Sequence, residues 1–218
     1  MGIVTGVGVL DKAVHLLRAV AETPRTLGGL QSATGLPRAT AHRLAVALEA
    51  HGLLRRDDDG RFDLGPELAS LGRTAAERFP LAGLALPALE ALRAATDESV
   101  QLFVREGSHR RCVVSLQSPH ALRWIVPEGV LFPLDVGSAG RVLSSIDMSG
   151  WIESVEEREP GVASVSAPVF DVDGSVVAAV SVSGPIDRLT RAPGERFGES
   201  VLAAAAEIAR TLGTPPSN

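Results

Sequence analysis

A short run of polar and basic side chains carries the most specific chemistry in this sequence. Arg38, Thr40, His42 and Arg43 fall within six consecutive positions, directly after Pro37. A guanidinium group pairs with phosphate or with the edge of guanine through two parallel hydrogen bonds, and hydroxyl groups contact either. These residue types at this spacing would suit recognition of nucleic acid if one helix holds them on its exposed side.

Small hydroxyl side chains recur at every second position in two later segments. Ser164 and Ser166 lie in one segment, and Ser181 and Ser183 lie in the other. Alternate residues of a β-strand share a face, so two strands could combine these hydroxyls into the floor of a small, partly polar pocket. The same serines could equally be small residues that fill the core.

No catalytic or metal-binding pattern accompanies these residues. The five histidines lack metal-ligand spacing, and the sequence has no nucleophile elbow, phosphate-binding loop or dinucleotide fingerprint. Cys112 is the single cysteine and lies in an apolar segment, so we expect a small buried residue without a disulfide. We therefore expect neither an enzyme nor a cofactor or metal.

Composition and charge place the chain among ordinary globular proteins. It has 218 residues, of which 45% are apolar, and a net charge of −5 that by itself argues against a nucleic-acid partner. Residues 1–79 carry ten basic and nine acidic side chains, whereas residues 80–218 carry eleven and seventeen. The acidic excess belongs to the second half. Since no secretory signal or membrane-length apolar run is present, we expect a cytoplasmic protein.

The run after Pro37 belongs to a predicted helix-turn-helix. Apolar residues at helical spacing predict a first helix over residues 9–20 and a reading helix over residues 37–49. Between them, Thr26 is placed to cap a short helix that ends at Gly35. Two short helices joined by a glycine-containing turn are typical of DNA-binding proteins. A unit of this kind can also serve dimerisation without DNA.

A short hairpin is predicted directly after the third helix. Two strands flank an Asp-Gly turn at residues 59–60, which would make the unit a winged helix-turn-helix. Arg55, Arg56 and Arg61 flank the turn and could contact phosphate. The aspartates at residues 57–59 would repel phosphate if they pointed towards it, so they either face away or shape the turn.

The second half predicts a sheet flanked by helices. Strands are indicated at residues 99–104, 111–116, 162–169 and 175–183, and helices at residues 84–95 and 193–212. This order resembles GAF domains. A Gly-Ser-Ala-Gly turn at residues 137–140 lets backbone N–H groups approach a ligand and favours an anion. Upstream of it, Arg123 and Trp124 either line the mouth of a pocket or belong to a surface loop.

These segments together resemble the IclR family of bacterial transcriptional regulators. The first half matches in TLGGLQSATGLPRATAHRLAVALEAHGLL and GRFDLGP, and the second half matches in VGSAGRVL and EREPGVASVSAPVFDVDGSVVAAVSVSGP. The resemblance is nearest to the branch associated with amino-acid biosynthesis, leucine in particular. It implies an α+β protein with an N-terminal winged helix-turn-helix followed by a GAF-like α/β effector-binding domain.

The resemblance also implies a function and partners. The protein would bind a near-palindromic operator in double-stranded DNA as a homodimer or dimer of dimers, and a small organic acid or amino-acid-related metabolite would modulate its affinity. The DNA-binding candidates are Thr26, Arg38, Thr40, His42, Arg43, Arg55, Arg56 and Arg61. The effector-binding candidates are Cys112, Val114, Ser138, Ala139, Ser154, Val162, Ser164, Ser181 and Ser183.

The predicted domain organisation has one departure from the family pattern. We expect a DNA-binding domain over residues 1–65, a linker helix over residues 66–80 that contributes to a dimer contact, and an effector-binding and oligomerisation domain over residues 81–218. The family usually has one or two more helices near residues 144–150. Part of the ligand pocket or of a subunit contact would then be missing. The alternative is therefore a DNA-binding regulator that has lost its ligand response and acts by dimerisation alone.

Overall fold

The computed structural model describes residues 7–78, 80–145 and 150–213. The chain divides after Phe79 into two compact units, and each unit has its own hydrophobic core. Residues 146–149, in the middle of the shortened segment, lie outside the described residues.

The first unit is a winged helix-turn-helix built on one small core. Its elements are α1 (Gly8–Glu22), α2 (Leu27–Thr34), α3 (Arg38–Ala50), β1 (Leu54–Arg56), β2 (Phe62–Leu64) and α4 (Pro66–Arg78). Leu16, Leu30, Ala45 and Phe62, from four different elements, are buried together in that core. Because each helix turns its apolar stripe inwards, the polar side of α3 remains exposed.

Two residues shape the turn between α2 and α3. The Thr26 hydroxyl accepts a hydrogen bond from the Gly29 amide at 3.2 Å and caps α2, as predicted. Gly35 ends α2 in the left-handed conformation, with φ of +67°, which glycine adopts without strain. The helix α3 begins at Arg38, one residue later than predicted, because Pro37 has a non-helical ψ of 142°.

The wing is a hairpin with one additional backbone bridge. β1 and β2 are antiparallel, with Leu54 opposite Leu64 and Arg56 opposite Phe62. Arg25 bridges to Phe62 through two backbone hydrogen bonds of 2.8 and 2.9 Å. Phe62 is fully buried, so it ties the hairpin to the segment that precedes α2.

The second unit is a six-stranded antiparallel sheet with helices on both faces. Its elements are α5 (Leu81–Thr96), β3 (Ser99–Glu106), β4 (His109–Leu116), β5 (Leu131–Pro133), α6 (Ser138–Ser144), β6 (Ile152–Val155), β7 (Val162–Phe170), β8 (Val176–Pro185), α7 (Ile186–Leu189) and α8 (Pro193–Leu212). The strand order is β5-β4-β3-β8-β7-β6. The predicted α+β class is confirmed. The edge strands β5 and β6 were not predicted, because three and four residues show little alternation.

The sheet separates two apolar cores. Val180 and Val182 of β8 pack against α5 and α8 on one face. Ala179 packs with Val142 of α6 on the other face. The period-two alternation predicted for β8 therefore holds, and Ser181 and Ser183 face the α6 side of the sheet.

A β-bulge in β4 interrupts the alternation of that strand's side chains where it pairs with β3. Leu102 lies opposite Val114, whereas its neighbour Phe103 lies opposite Cys112, so Val113 has no partner on β3. A bulge sets two residues of one strand against one residue of the other. Side chains before and after Val113 therefore do not follow a single period of two.

A buried ion pair holds α7 against the start of β3. Glu98 is 2% exposed, and its two carboxylate oxygens accept hydrogen bonds from Arg188 at 2.5 and 2.9 Å. This hydrogen bonding raises the pKa of Arg188. A Cβ atom on Gly184 would stand 2.6 Å from the same carboxylate, so glycine is needed where β8 passes this pair.

Candidate functional site

The exposed side of α3 carries the predicted reading residues. Arg38, His42 and Arg43 are exposed, and Thr40 is half-buried. Arg38 donates a hydrogen bond to the neutral Gln31 side chain at 3.3 Å. Within the part of the chain that the structure describes, neither arginine has a carboxylate partner. The first turns of α3 therefore present two guanidinium groups that are free to bind an anion.

The acidic tip of the wing shapes its own turn. The Asp57 carboxylate accepts hydrogen bonds from the backbone amides of Asp59 at 3.1 Å and Arg61 at 2.8 Å. It also accepts a hydrogen bond from the Arg61 side chain, and Asp59 forms a second ion pair with that guanidinium, both at 2.8 Å. Hydrogen bonding to Arg61 lowers the pKa of Asp57. The alternative in which these aspartates shape the turn is the one observed for Asp57.

The other two wing arginines are also paired with carboxylates. Arg55 donates to Asp63 across the hairpin at 2.5 Å. Arg56 lies 3.4 Å from Glu49 of α3 and stacks on the Phe62 ring at 4.1 Å. Phosphate would have to compete with these partners for each wing arginine. We therefore expect the wing arginines to bind an anion less readily than the arginines of α3.

A small pocket lies in the second unit, on the face of the sheet that α6 covers. Its cavity volume is about 30 Å³. The predicted residues that line it are Ser138, Ala139, Ser154, Val162, Ser164, Ser181 and Ser183. The serines of β7 and β8 meet because Ser164 pairs with Ser183 in the antiparallel register. The structure thus brings together seven of the nine predicted effector-binding residues.

Hydrogen bonds between hydroxyls organise this pocket. The Ser138 Oγ lies 2.8 Å from the Oγ atoms of both Ser164 and Ser166. The Ser183 hydroxyl donates to the Gln101 side-chain oxygen at 2.7 Å. Several of the hydroxyls are therefore already oriented by one another, and the pocket floor is polar within an apolar surround.

Two of the predicted effector-binding residues do not line the pocket. Val114 packs in the core on the α5 and α8 side of the sheet, because the bulge at Val113 reverses the alternation that would have placed it beside Cys112. The expectation for Val114 is therefore corrected. Cys112 lies on the correct face but is fully buried beneath the lining, in contact with the cluster around Phe103.

Cys112 is expected to resist alkylation in the folded protein. Burial raises the pKa of its thiol to about 12, so almost no thiolate exists at neutral pH, and the side chain is 0% exposed. Mass spectrometry after treatment with iodoacetamide at pH 7.5 should detect no adduct until denaturant is added. Rapid modification of the native protein would contradict this placement.

The Gly-Ser-Ala-Gly turn is connected to the acidic run that follows β6. Gly137, with φ of +82°, donates its amide to the Glu157 carboxylate at 3.0 Å, and Glu157 also pairs with Arg141 at 2.9 Å. Earlier in the same run, Glu153 accepts a hydrogen bond from the Gly194 amide at 2.8 Å. The acidic side chains of residues 153–159 therefore hold α6 and the start of α8 through hydrogen bonds.

Sequence reasoning missed several of the residues that line the pocket, and three of them carry hydrogen-bond donors. Gln101, Arg110 and Arg158 all line it. An alternating strand predicts that Arg110 shares the inward face of Cys112, which was the available signal. Arg158 had no such signal, because it lies in an irregular segment. Trp124 also lines the pocket, whereas Arg123 instead donates to Gln117 at 2.9 Å.

Two kinds of site are absent from the described part of the chain. No described helix is long and apolar enough to cross a membrane. A search of the described residues finds no group of three or more His, Cys, Asp or Glu side chains that could hold a metal ion.

Comparison with known families decides the family of the protein. The family model described as the IclR helix-turn-helix domain matches residues 9–58. The model described as the C-terminal domain of the bacterial transcriptional regulator IclR matches residues 73–149 and 142–210. The chain belongs to the IclR family. It is a DNA-binding transcriptional regulator of that family, and the predicted family membership is confirmed.

The sequences of individual relatives align with nearly the whole chain. The chain is 28% identical to the HTH-type transcriptional regulator KipR of Bacillus subtilis, over 93% of this chain and 96% of that protein. It is 30% identical to the glycerol operon regulatory protein of Streptomyces coelicolor, over 94% and 96%. These IclR-family relatives are transcriptional regulators.

Solved structures show the same fold. An IclR homologue from Microbacterium hydrocarbonoxydans, solved in complex with 4-hydroxybenzoate, superposes with a TM-score of 0.77 at 22% identity and covers 94% of this chain and 98% of its own. The IclR regulator from Alicyclobacillus acidocaldarius superposes with a TM-score of 0.74 at 21% identity, over 95% and 99%. A winged helix-turn-helix followed by an α/β domain is thus confirmed as the fold.

Proposed function

We propose that this IclR-family regulator reads a near-palindromic operator through α3 and changes its operator affinity when a small organic acid or amino-acid-related metabolite binds in the second unit. The observation that carries the proposal is the pocket whose serines come from α6, β6, β7 and β8. Such a response requires that the ligand bind one of two conformations more tightly than the other.

For DNA recognition, the proposal assigns base and phosphate contacts to eight residues. They are Thr26, Arg38, Thr40, His42, Arg43, Arg55, Arg56 and Arg61. Support comes from the exposure of the α3 residues and from the two guanidinium groups there that have no carboxylate partner among the described residues. The paired wing arginines are assigned a smaller share, in contact with phosphate.

Dimerisation is part of the proposal, because a near-palindromic operator needs two copies of the reading helix. The exposed apolar residues of the first unit support it. Val9 and Leu10 of α1 are 64% and 52% exposed, and Leu71 of α4 is 53% exposed. Exposed apolar residues on these helices suit a contact with a second copy.

The effector is proposed to be a small organic acid or a related metabolite. The homologue solved with 4-hydroxybenzoate provides support by analogy of fold. The resemblance to regulators of amino-acid biosynthesis stays a prediction, and leucine therefore belongs in any panel of candidate ligands together with short organic acids.

The decisive experiment places a leucine in the pocket. Ser183→Leu fills a cavity of about 30 Å³ and removes the hydrogen bond to Gln101, so we expect it to abolish the metabolite-dependent change in operator affinity. Operator binding without metabolite should be unchanged in a gel-shift assay. Ser175→Leu, at an exposed turn outside the pocket, is the matched control. A full response in the Ser183 variant would place the effector elsewhere.

The second candidate is a regulator that has lost its ligand response and acts by dimerisation alone. It is favoured by the shortness of the chain, since the alignment with KipR runs over 239 positions and this chain has 218 residues. The C-terminal family model matches in two pieces that meet at residues 142–149. Calorimetry that detects no binding of any acid or amino acid, together with tight operator binding, would favour this candidate.

A further inference from the structure

Two buried hydrogen-bond donors in the pocket have no partner. The Gln101 side-chain nitrogen and the Arg110 Nε atom are buried without a hydrogen bond, and these residues are 1% and 2% exposed. A buried polar group without a partner is costly and rare in folded proteins. Since both residues line the same cavity, the cavity is prepared for a molecule that supplies acceptor oxygens.

Arg110 is also a buried charge without a carboxylate in contact. It donates to the carbonyl oxygen of Pro133 and lies 5.5 and 5.4 Å from the Phe103 and Phe132 ring centroids. Burial, together with the positive charge of Arg158, lowers the pKa of Arg110 to about 10. Buried charges are normally paired, so a negatively charged ligand group would complete this site.

Arg158 adds a second guanidinium to the same lining. It stacks on Trp124 at 5.0 Å and on Phe132 at 4.1 Å, and it has no hydrogen bond or ion pair within the described part of the chain. Burial lowers its pKa. Ring stacking fixes the plane of a guanidinium while its edge N–H groups stay available. Glu159, at an exposed position, is the one carboxylate in the lining.

Gln101 lies among the serines, as a separate donor from the two arginines. The Ser183 hydroxyl donates to the Gln101 oxygen at 2.7 Å, which turns the amide so that its nitrogen has no protein partner. Ser181 lines the cavity beside it. A second oxygen-bearing group of the ligand can therefore accept from the Gln101 amide and from a serine hydroxyl.

We propose that Gln101, Arg110 and Arg158 make this pocket selective for a short dicarboxylate, with one carboxylate bound by the two arginines and the other by Gln101 and the neighbouring serines. The inference rests on the proposed effector function and narrows its ligand class. The cavity is small, which favours a short ligand. An α-ammonium group would meet two positive charges, so amino acids such as leucine are disfavoured.

Isothermal titration calorimetry on the full chain tests the selectivity with matched pairs of ligands. Malonate is compared with propionate, and succinate with butyrate, so that each pair differs by one carboxylate. We expect the dissociation constant of at least one dicarboxylate to be lower by about tenfold or more, the usual effect of hydrogen bonds to a charged group. Equal affinities within both pairs would overturn the proposal.

Variants locate the selectivity in the named residues. Gln101→Glu should weaken dicarboxylate binding by about tenfold or more and reduce the preference over the monocarboxylate, whereas Arg158→Gln should weaken the binding of both ligands by about tenfold or more. Arg123→Gln removes a nearby guanidinium that does not line the cavity and should leave both affinities unchanged. Thermal unfolding of each variant verifies the fold. Loss of both ligands in equal proportion in the Gln101→Glu variant, or unchanged binding of both in the Arg158→Gln variant, would contradict the assignment.

The two levels of the proposal fail in different ways. If leucine or 4-hydroxybenzoate changes operator affinity and no dicarboxylate binds, the dicarboxylate assignment is wrong and the effector function stands. If none of the ligands changes operator affinity, the effector function itself is wrong.

Discussion

Replacing Arg38 and Arg43 together by alanine is expected to weaken operator binding by about a hundredfold, because each good guanidinium contact in the major groove contributes about 1–3 kcal/mol. Both side chains are exposed on the first turns of α3 and neither is held by a carboxylate in the described structure. Fluorescence anisotropy at fixed ionic strength, with a genomic fragment that the purified protein retains, measures the change.

The matched control for this prediction is an arginine of the wing. Arg55 is paired with Asp63 at 2.5 Å, so Arg55→Ala should weaken the complex much less than the double α3 variant. The double α3 variant should keep its thermal stability, since neither side chain contributes to the core. Unchanged operator affinity in that variant would exclude α3 as the reading helix.

Arg188→Ala is expected to lower the free energy of unfolding of the second unit by about 1–3 kcal/mol, because the buried Glu98 carboxylate loses its partner while the Arg188 side chain itself is 27% exposed. Glu98 is 2% exposed and accepts both of its hydrogen bonds from this guanidinium. Urea denaturation followed by the fluorescence of the two tryptophans, both in the second unit, measures the loss.

Arg191→Ala provides the comparison for this second prediction. Arg191 forms a 3.0 Å ion pair with Glu156, and its side chain is 71% exposed, so its removal should change the free energy of unfolding by less than about 1 kcal/mol. Adding Glu98→Gln to Arg188→Ala should restore part of the lost stability, because the buried charge is then removed. Equal effects of Arg188→Ala and Arg191→Ala would contradict the importance of burial.

The helix-turn-helix could be predicted because its local signals agree with one another. Thr26 caps α2, Gly35 ends it in the left-handed conformation, and the apolar positions of α3 recur at helical spacing. That Ser181 and Ser183 share one face of β8 could also be predicted, since alternate residues of a strand lie on the same face. These features depend on near neighbours in the chain, which a sequence displays directly.

Other features of the candidate site depend on residues far apart in the chain. The bulge at Val113 exists only in the pairing of β3 with β4, so the sequence of β4 alone does not show that Val114 faces away from Cys112. Arg110 and Arg158 meet over the Phe132 ring, which belongs to an edge strand of three residues. The periodicity of apolar residues along a strand or a helix carries no information about contacts between residues that are far apart in the chain.

The segment from Glu153 to Glu159 also has a thermodynamic consequence. It contributes Arg158 to the pocket, Glu157 to the amide of Gly137 and Glu153 to the amide of Gly194 at the start of α8. A molecule bound at Arg158 therefore acts on a piece of chain that is anchored at two helices. A ligand that favoured one arrangement of α6 and α8 would itself be bound more tightly in that arrangement, by the same free energy.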